Sequence, residues 1–267
     1  MTTRRRVLRH DTTTGATTRR PDSLSVEEPL EVRLSGKAFT ITMRTPGHDI
    51  DLALGFLVGE GVIGAAEDVV TVRSLDAAVD VVLAPHVPPP DPSLERHVYT
   101  SSACGVCGSA SLEAVDKVAR FDVSTDPLVV PPTLLAGLPG RLRDKQAAFD
   151  VTGGLHAAGL VDPDGELVVV REDVGRHNAV DKVVGWALRE GRVPLRGHLL
   201  QVSGRASFEL VQKARLAGIP ALAAVSAPSS LAVELAEDAG MTLVGFSRGG
   251  RFTVYTRPDR IDLPDGD

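Results

Sequence analysis

His198-Leu-Leu-Gln-Val-Ser203, Ala221-Leu-Ala-Ala-Val225 and Thr242-Leu-Val-Gly-Phe246 are three short apolar runs separated by two helical segments, Ser207–Ala217 and Ser229–Ala239. Strands alternating with helices in this way predict parallel pairing through right-handed crossovers, hence an α/β domain with a parallel βαβαβ segment. Gly218 and Gly240 stand where the two helices should stop. Phe252–Thr256 reads as one further strand.

Loops that follow parallel strands lie at the carboxyl edge of the sheet, where open α/β folds bind ligands. Three such loops are rich in polar groups. Ser203-Gly204-Arg205-Ala206-Ser207 leaves a strand and opens a helix, so backbone N–H groups, the helix dipole and Arg205 are available to a phosphate. Ala227-Pro228-Ser229-Ser230 opens the next helix in the same way. Ser247-Arg248-Gly249-Gly250-Arg251 follows the third strand with two guanidiniums suited to phosphate and glycines that permit close backbone approach. A capped turn with surface arginines explains any one of them. Three on one edge favour an anionic, nucleotide-like ligand.

Upstream, Ala157–Val161 and Leu167–Val170 read as strands across the turn Asp162-Pro-Asp-Gly165, and Asn178–Arg189 as an amphipathic helix. Arg171-Glu-Asp-Val-Gly-Arg-His-Asn-Ala-Val-Asp-Lys182 crowds charge at the junction between them. Asp173 and Asn178 are good helix caps. Arg176, His177 and Lys182 are candidates to attract an anion, with Glu172 and Asp173 orienting them. Pro132–Ala148 reads as mostly helical, with an internal break at Gly137 and Pro139-Gly140.

The first part of the chain reads as a small α+β unit, residues 25–96. It has a hairpin Leu30–Leu34 and Ala38–Met43, a helix Asp49–Gly59, and strands Val69–Leu75 and Val79–Ala84. A proline-rich linker, His86–Pro92, precedes the larger domain, residues 97–257. Residues 1–24, with Arg4, Arg5, Arg6 and Arg9, read as a disordered basic arm, and 258–267 as a tail. No apolar region follows the basic start, which argues against a secretory signal, and no run approaches the length of a membrane span. The net charge of −6 argues against a general nucleic-acid binder.

Cys104 and Cys107 are the only cysteines in 267 residues and lie in one loop, Cys104-Gly-Val-Cys107-Gly. Small polar neighbours leave both thiols accessible, and the Cys-x-x-Cys spacing lowers the pKa of one of them. Half of a zinc site, a redox dithiol, a sulfur carrier and a structural pair fit this spacing. Without a dispersed cysteine framework the expected compartment is reducing cytoplasm. His156 is available to complete a Cys-Cys-His zinc set of the deaminase kind. That chemistry needs a Glu two positions later as proton shuttle, and Ala158 stands there.

Together these segments resemble the FdhD/NarQ family of sulfurtransferases required for formate dehydrogenase activity. The resemblance rests on Cys104-Gly-Val-Cys107-Gly108, Thr152-Gly-Gly-Leu-His156, Arg171 to Lys182, Val202-Ser-Gly-Arg205 and Gly245-Phe-Ser-Arg-Gly-Gly-Arg251. It runs from about Leu30 to Thr256 and leaves out the arm and the tail. It implies a cytidine-deaminase-like three-layer domain preceded by a smaller α+β domain, in a homodimer. It also implies that sulfur passes from a cysteine desulfurase to the cysteine loop. From there it goes to the molybdenum cofactor, as bis-molybdopterin guanine dinucleotide, before insertion into formate dehydrogenase.

The family's cofactor-binding segment maps to Phe246, Ser247, Arg248, Gly249, Gly250 and Arg251. Ser203, Gly204, Arg205, His156 and His177 are expected to line the same pocket, with no resident metal. Cys104 is the expected persulfide carrier, with Cys107 resolving, relaying or assisting release. Two other readings compete. One is a cofactor chaperone without sulfur transfer, which Cys104→Ser separates from the first. The other is a zinc-dependent nucleoside or base hydrolase, which Ala158 disfavours.

Overall fold

Three parallel strands form the centre of the structure, a computed structural model that describes residues 2–90 and 119–263. They are β9 (Leu199–Val202), β10 (Ala221–Ala224) and β11 (Thr242–Arg248), with Leu199, Ala221 and Thr242 in register. The antiparallel pair β7 (His156–Val161) and β8 (Leu167–Asp173) joins on one side through β7. Antiparallel β12 (Arg251–Thr256) joins on the other, giving the order β12-β11-β10-β9-β7-β8. Cys104, Cys107 and the expected domain start near His97 lie outside the described residues.

Strands covered on both faces need apolar side chains at successive positions, and every residue of β9 and β10 is buried. Alternation divides them between two cores. Leu200, Leu222 and Leu243 pack with helices α4 (Arg176–Arg189), α5 (Phe208–Leu216) and α6 (Ser230–Asp238). Leu199, Ala221 and Val244 pack under Leu135, Leu138 and Leu142 of α2 (Pro132–Arg143). The domain is thus helix, sheet, helix in three layers. Gly218 and Gly240, at φ +75° and +63°, end α5 and α6 in the left-handed conformation that glycine adopts without strain.

The helix α2 runs unbroken through Gly137 and Pro139, and the interruption falls later, before α3 (Ala147–Thr152). Proline removes the N–H that would bond the carbonyl four residues back. That carbonyl, Leu135, instead accepts a hydrogen bond from Ser247 Oγ at 3.2 Å. A partner from outside the helix therefore keeps Pro139 from breaking it.

A second sheet, β4-β3-β6-β5, comprises β3 (Glu28–Leu34), β4 (Lys37–Arg44), β5 (Val69–Leu75) and β6 (Ala78–Leu83). It shares its core with the large domain. Leu30, Val32 and Val79 belong to the same apolar cluster as Leu160, Val180 and Leu200. The link is α1 (Asp49–Gly59), which crosses α4 at Gly55 and Gly185. A Cβ at Gly55 would lie 1.8 Å from the Asp181 carbonyl oxygen, and one at Gly185 1.8 Å from that of Asp51. Asp51 is buried beside this crossing and pairs with Arg171 at 3.2 Å and Arg189 at 2.6 Å.

Residues 2–25 form a hairpin, where composition predicts disorder. β1 (Thr2–His10) and β2 (Thr17–Ser25) pair antiparallel in continuous register. The turn explains the difference: Asp11 Oδ1 accepts from Thr13 N at 2.8 Å and Thr14 N at 3.2 Å, and Gly15 takes φ +70°. Threonines and a valine in the strands favour extended backbone. The tail also departs from expectation, because Arg260 is buried. Its guanidinium donates to the carbonyls of Val123, Ser124, Asp126, Pro220 and Gly240.

Candidate functional site

Backbone hydrogen bonds stitch together the three polar loops expected at the carboxyl edge. Val225 N donates to Val202 O, Ser226 N to Gly204 O, Ser229 N to Ala206 O, and Phe246 N to Ser226 O, all at 3.0–3.2 Å. Because β7 runs antiparallel to β9, its first residue, His156, arrives at this same edge. Ser203 holds it there: its N–H donates to Ala157 O and its Oγ accepts from Ala157 N at 2.8 Å. Gly204 lies against the His156 ring, where a Cβ would be 3.4 Å from Nδ1.

The charged run divides into two parts. Asp173 has no exposed surface and accepts from Thr45 N, Gly175 N and Asn178 Nδ2, with Lys182 Nζ 2.7 Å away. Lys182 also donates to Thr45 O, so it is a buried tie between the two sheets and not the anion attractor its sequence position implies. Glu172 accepts from Ala148 N and Phe149 N at the start of α3.

Arg176 and His177 instead form the first turn of α4, which starts two residues earlier than its apolar spacing predicts. They share the edge with His156, Arg205 and the start of α5. His177 Nε2 lies 3.5 Å from Ser207 Oγ and 3.3 Å from Glu209 Oε2. Burial, then Arg176, Lys213 and His156, push the His177 imidazole down to about 3. Burial and Arg176 also lower His156, with Arg205 adding to them against Asp173. Both rings are therefore neutral at pH 7. Arg176 is itself lowered from its usual value, first by burial and then by Arg205. Its Nε is buried with no hydrogen-bond partner among the described residues.

Neither N-cap at this edge, Gly175 for α4 or Ser207 for α5, uses a side chain to satisfy the helix N–H groups. Two guanidiniums, two neutral imidazoles and two uncapped helix starts thus meet, with Glu209 supplying the opposing charge. Unfilled donors and an orphaned guanidinium nitrogen are what a phosphate-bearing ligand satisfies. Glu209 is the site residue that sequence reasoning missed. Its only signal was its place in the first turn after the Ser203–Ser207 loop.

Farther along, Phe246, Arg248, Gly249, Arg251, Phe252 and Thr253 line a shallow open pocket. Gly249 and Gly250, at φ +59° and +75°, turn β11 into β12 and set Arg248 directly opposite Arg251. Facing like charges are unfavourable unless an anion lies between them. The Arg248 guanidinium stands 5.9 Å from the Phe246 ring centroid, and Phe246 is exposed at φ +51°. Ser247 alternates to the other face, where it is fully buried on Leu135, so its side chain does not line the pocket.

Asp68 marks where the segment carrying the cysteines leaves and rejoins the described structure. Its carboxylate accepts from Gly64 N at 2.7 Å, and His86 Nε2 and Arg120 Nη1 each lie 2.9 Å from it. A Cβ at Gly64 would meet the Arg120 side chain at 2.7 Å, so glycine makes room for this junction.

Comparison with known proteins identifies the family of the chain. The model of the FdhD/NarQ family matches residues 25–262. The sulfur carrier protein FdhD of Mycolicibacterium paratuberculosis is 56% identical over 271 residues, covering 98% of this chain and 99% of that protein. The protein of the same name from Streptomyces avermitilis is 57% identical over 274 residues, covering 98% and 96%. A crystal structure described as a candidate formate dehydrogenase accessory protein from Desulfotalea psychrophila superimposes with a TM-score of 0.75. It is 25% identical and covers 97% of this chain and 99% of its own. With its matched segment reaching from the root of the arm to the last described residues, the chain belongs to the FdhD/NarQ family.

Proposed function

We propose that this protein carries sulfur from a cysteine desulfurase to the molybdenum cofactor needed for formate dehydrogenase activity, in the cytoplasm. The reading is carried by one coincidence: the chain has a sole thiol pair in its sequence and, among the described residues, a polar edge where Arg176 Nε lacks a hydrogen-bond partner, in a family whose relatives are named sulfur carriers. The cargo is bis-molybdopterin guanine dinucleotide, whose phosphates suit Arg176 and Arg205 at one end of the edge and Arg248 and Arg251 at the other. The three layers and the mixed six-stranded sheet support a cytidine-deaminase-like scaffold.

In this reading the Cys104 thiolate attacks the outer sulfur of the donor's persulfide. A Cys104 persulfide forms and the donor's thiolate leaves, with no net redox change. Attack of Cys107 on the Cys104 sulfur then forms a disulfide and releases the outer sulfur as hydrosulfide for the metal. The two electrons come from the thiol pair, and a cellular dithiol restores it. The neutral imidazoles of His156 and His177 offer hydrogen bonds to the cargo without adding charge.

Incubation with a cysteine desulfurase and cysteine, followed by intact mass with and without reductant, tests the proposal. A reductant-labile gain of one sulfur, absent in Cys104→Ser and retained in Cys107→Ser, is the expected result. An adduct confined to Cys107 reverses the assignment, and no adduct with an active desulfurase overturns sulfur transfer in favour of a cofactor chaperone.

A further inference from the structure

We infer that Glu209 is a positioning residue. Pinned by the buried pair Lys213–Asp181, it fixes which nitrogen of His177 carries the hydrogen and makes the other an acceptor for the ligand. The inference rests on the polar edge being the cargo site.

Lys213 of α5 and Asp181 of α4 are both buried and meet at 2.8 Å. Burying two charges is costly, and apolar residues of similar volume often serve as well, so packing alone does not call for them. Helix α1 makes room for the ammonium: a Cβ at Gly59 would stand 2.8 Å from Lys213 Nζ, and the Phe56 ring centroid is 5.6 Å away. One turn earlier on α5, Glu209 faces the same ammonium, with Oε1 at 3.9 Å. Its other oxygen, Oε2, lies 3.3 Å from His177 Nε2. The row Asp181, Lys213, Glu209, His177 thus runs from the core to the edge, alternating in charge until it ends on a neutral ring.

A carboxylate only accepts hydrogen bonds, so the ring nitrogen that faces it carries the hydrogen. In a neutral imidazole the second nitrogen, Nδ1, then keeps a bare lone pair. The titratable groups around the ring are Arg176 from α4, Glu209 and Lys213 from α5 and His156 from β7. The edge otherwise offers donors, the guanidiniums of Arg176 and Arg205 and the uncapped helix starts. An acceptor among them selects a ligand that brings a hydrogen as well as an anion, such as a heterocycle N–H or a sugar hydroxyl. Sulfate, an anion with no hydrogen to give, gains nothing from it.

The test is nitrogen NMR of the full chain isotope-labelled at histidine, with titrations of guanosine diphosphate and of sulfate at pH 7. His177 is expected in the Nε2–H form alone. The Glu209 side chain is 29% exposed, so its loss should leave the fold intact. Glu209→Ala should mix the two tautomers and weaken guanosine diphosphate about fivefold, as for one lost hydrogen bond. The same variant should tighten sulfate, because a negative charge has gone. Glu209→Gln, whose amide oxygen still accepts, should restore the tautomer. Lys213→Met/Asp181→Asn, which removes both buried charges together, should mix the tautomers as Glu209→Ala does, and an unchanged tautomer there overturns the pin. An Nδ1–H or imidazolium form in the full chain overturns the inference. So does a Glu209→Ala chain that binds both ligands more tightly, the outcome for a carboxylate that only opposes an anion. If guanosine diphosphate fails to bind the unaltered chain, the cargo reading falls, and the tautomers still decide the role of Glu209.

Discussion

Asp173 and Arg176 lie three residues apart in one charged run, yet the clamp around the first and the edge around the second are built on opposite terms. At the clamp every charge is matched: Asp173 receives three hydrogen bonds and Lys182, and all are buried. At the edge, cations and helix starts gather with few partners among the described residues, and Arg176 Nε has none there. Matched buried charge fixes the fold, whereas unmatched charge at the mouth of a sheet is where the proposed ligand would bind. In the sequence, Lys182 and Arg176 look alike.

The sharpest way to break this contrast is Lys182→Met, which leaves Asp173 charged and uncompensated in the core. It should cost about 3–5 kcal/mol in chemical denaturation, with Asp173→Asn/Lys182→Met recovering part of the loss. Substitution at the edge should do the reverse. Arg176→Gln and Arg205→Gln are expected to weaken binding of a guanine dinucleotide by more than tenfold, from loss of a charged contact of about 1.5–3 kcal/mol, while the denaturation midpoint barely moves. Isothermal calorimetry and urea melts on the same samples separate the two.

A pH series sharpens the comparison further. His177 falls from 6.5 in the unfolded chain to about 3 in the fold, through burial first and its cationic neighbours next. The unfolded state therefore binds the extra proton as pH falls from 6.5 towards 3, and stability declines over that window. His177 alone should contribute a slope approaching ~1.4 kcal/mol per pH unit, and that share should vanish in His177→Gln. The smallest effect is expected at Ser247, where Ala leaves the Leu135 carbonyl without its substitute donor. About 1 kcal/mol of stability should go, with ligand binding unchanged, which distinguishes Ser247 from Arg248 beside it.

Much of the fold was legible because it follows local rules. The Ser35-Gly36 turn, the α1 limits, the glycine stops at Gly218 and Gly240 and the parallel βαβαβ run all agree with the sequence reading. Pro139 misled because its rescue comes from Ser247, more than a hundred residues away, and no window along the chain contains both. The arm misled because a basic composition hid a turn set by Asp11 and Gly15. Of the site, Arg205 and His156 were visible as a loop after a strand and a histidine before one. The separate destinies of Lys182 and Arg176 depend on which turn of α4 faces the second sheet, and Glu209 needed the start of α5 to be brought beside His177.

The crossing of α1 over α4 has a consequence for what a broken chain would do. Residues 2–90 and 119–263 are locked by Gly55 against the Asp181 carbonyl and by Gly185 against that of Asp51, within one apolar cluster. A single protease cut between residues 91 and 118 would sever the covalent thread and leave two fragments that migrate together until denatured. The hold between the two parts therefore rests on side-chain packing and not on the peptide bonds that join them.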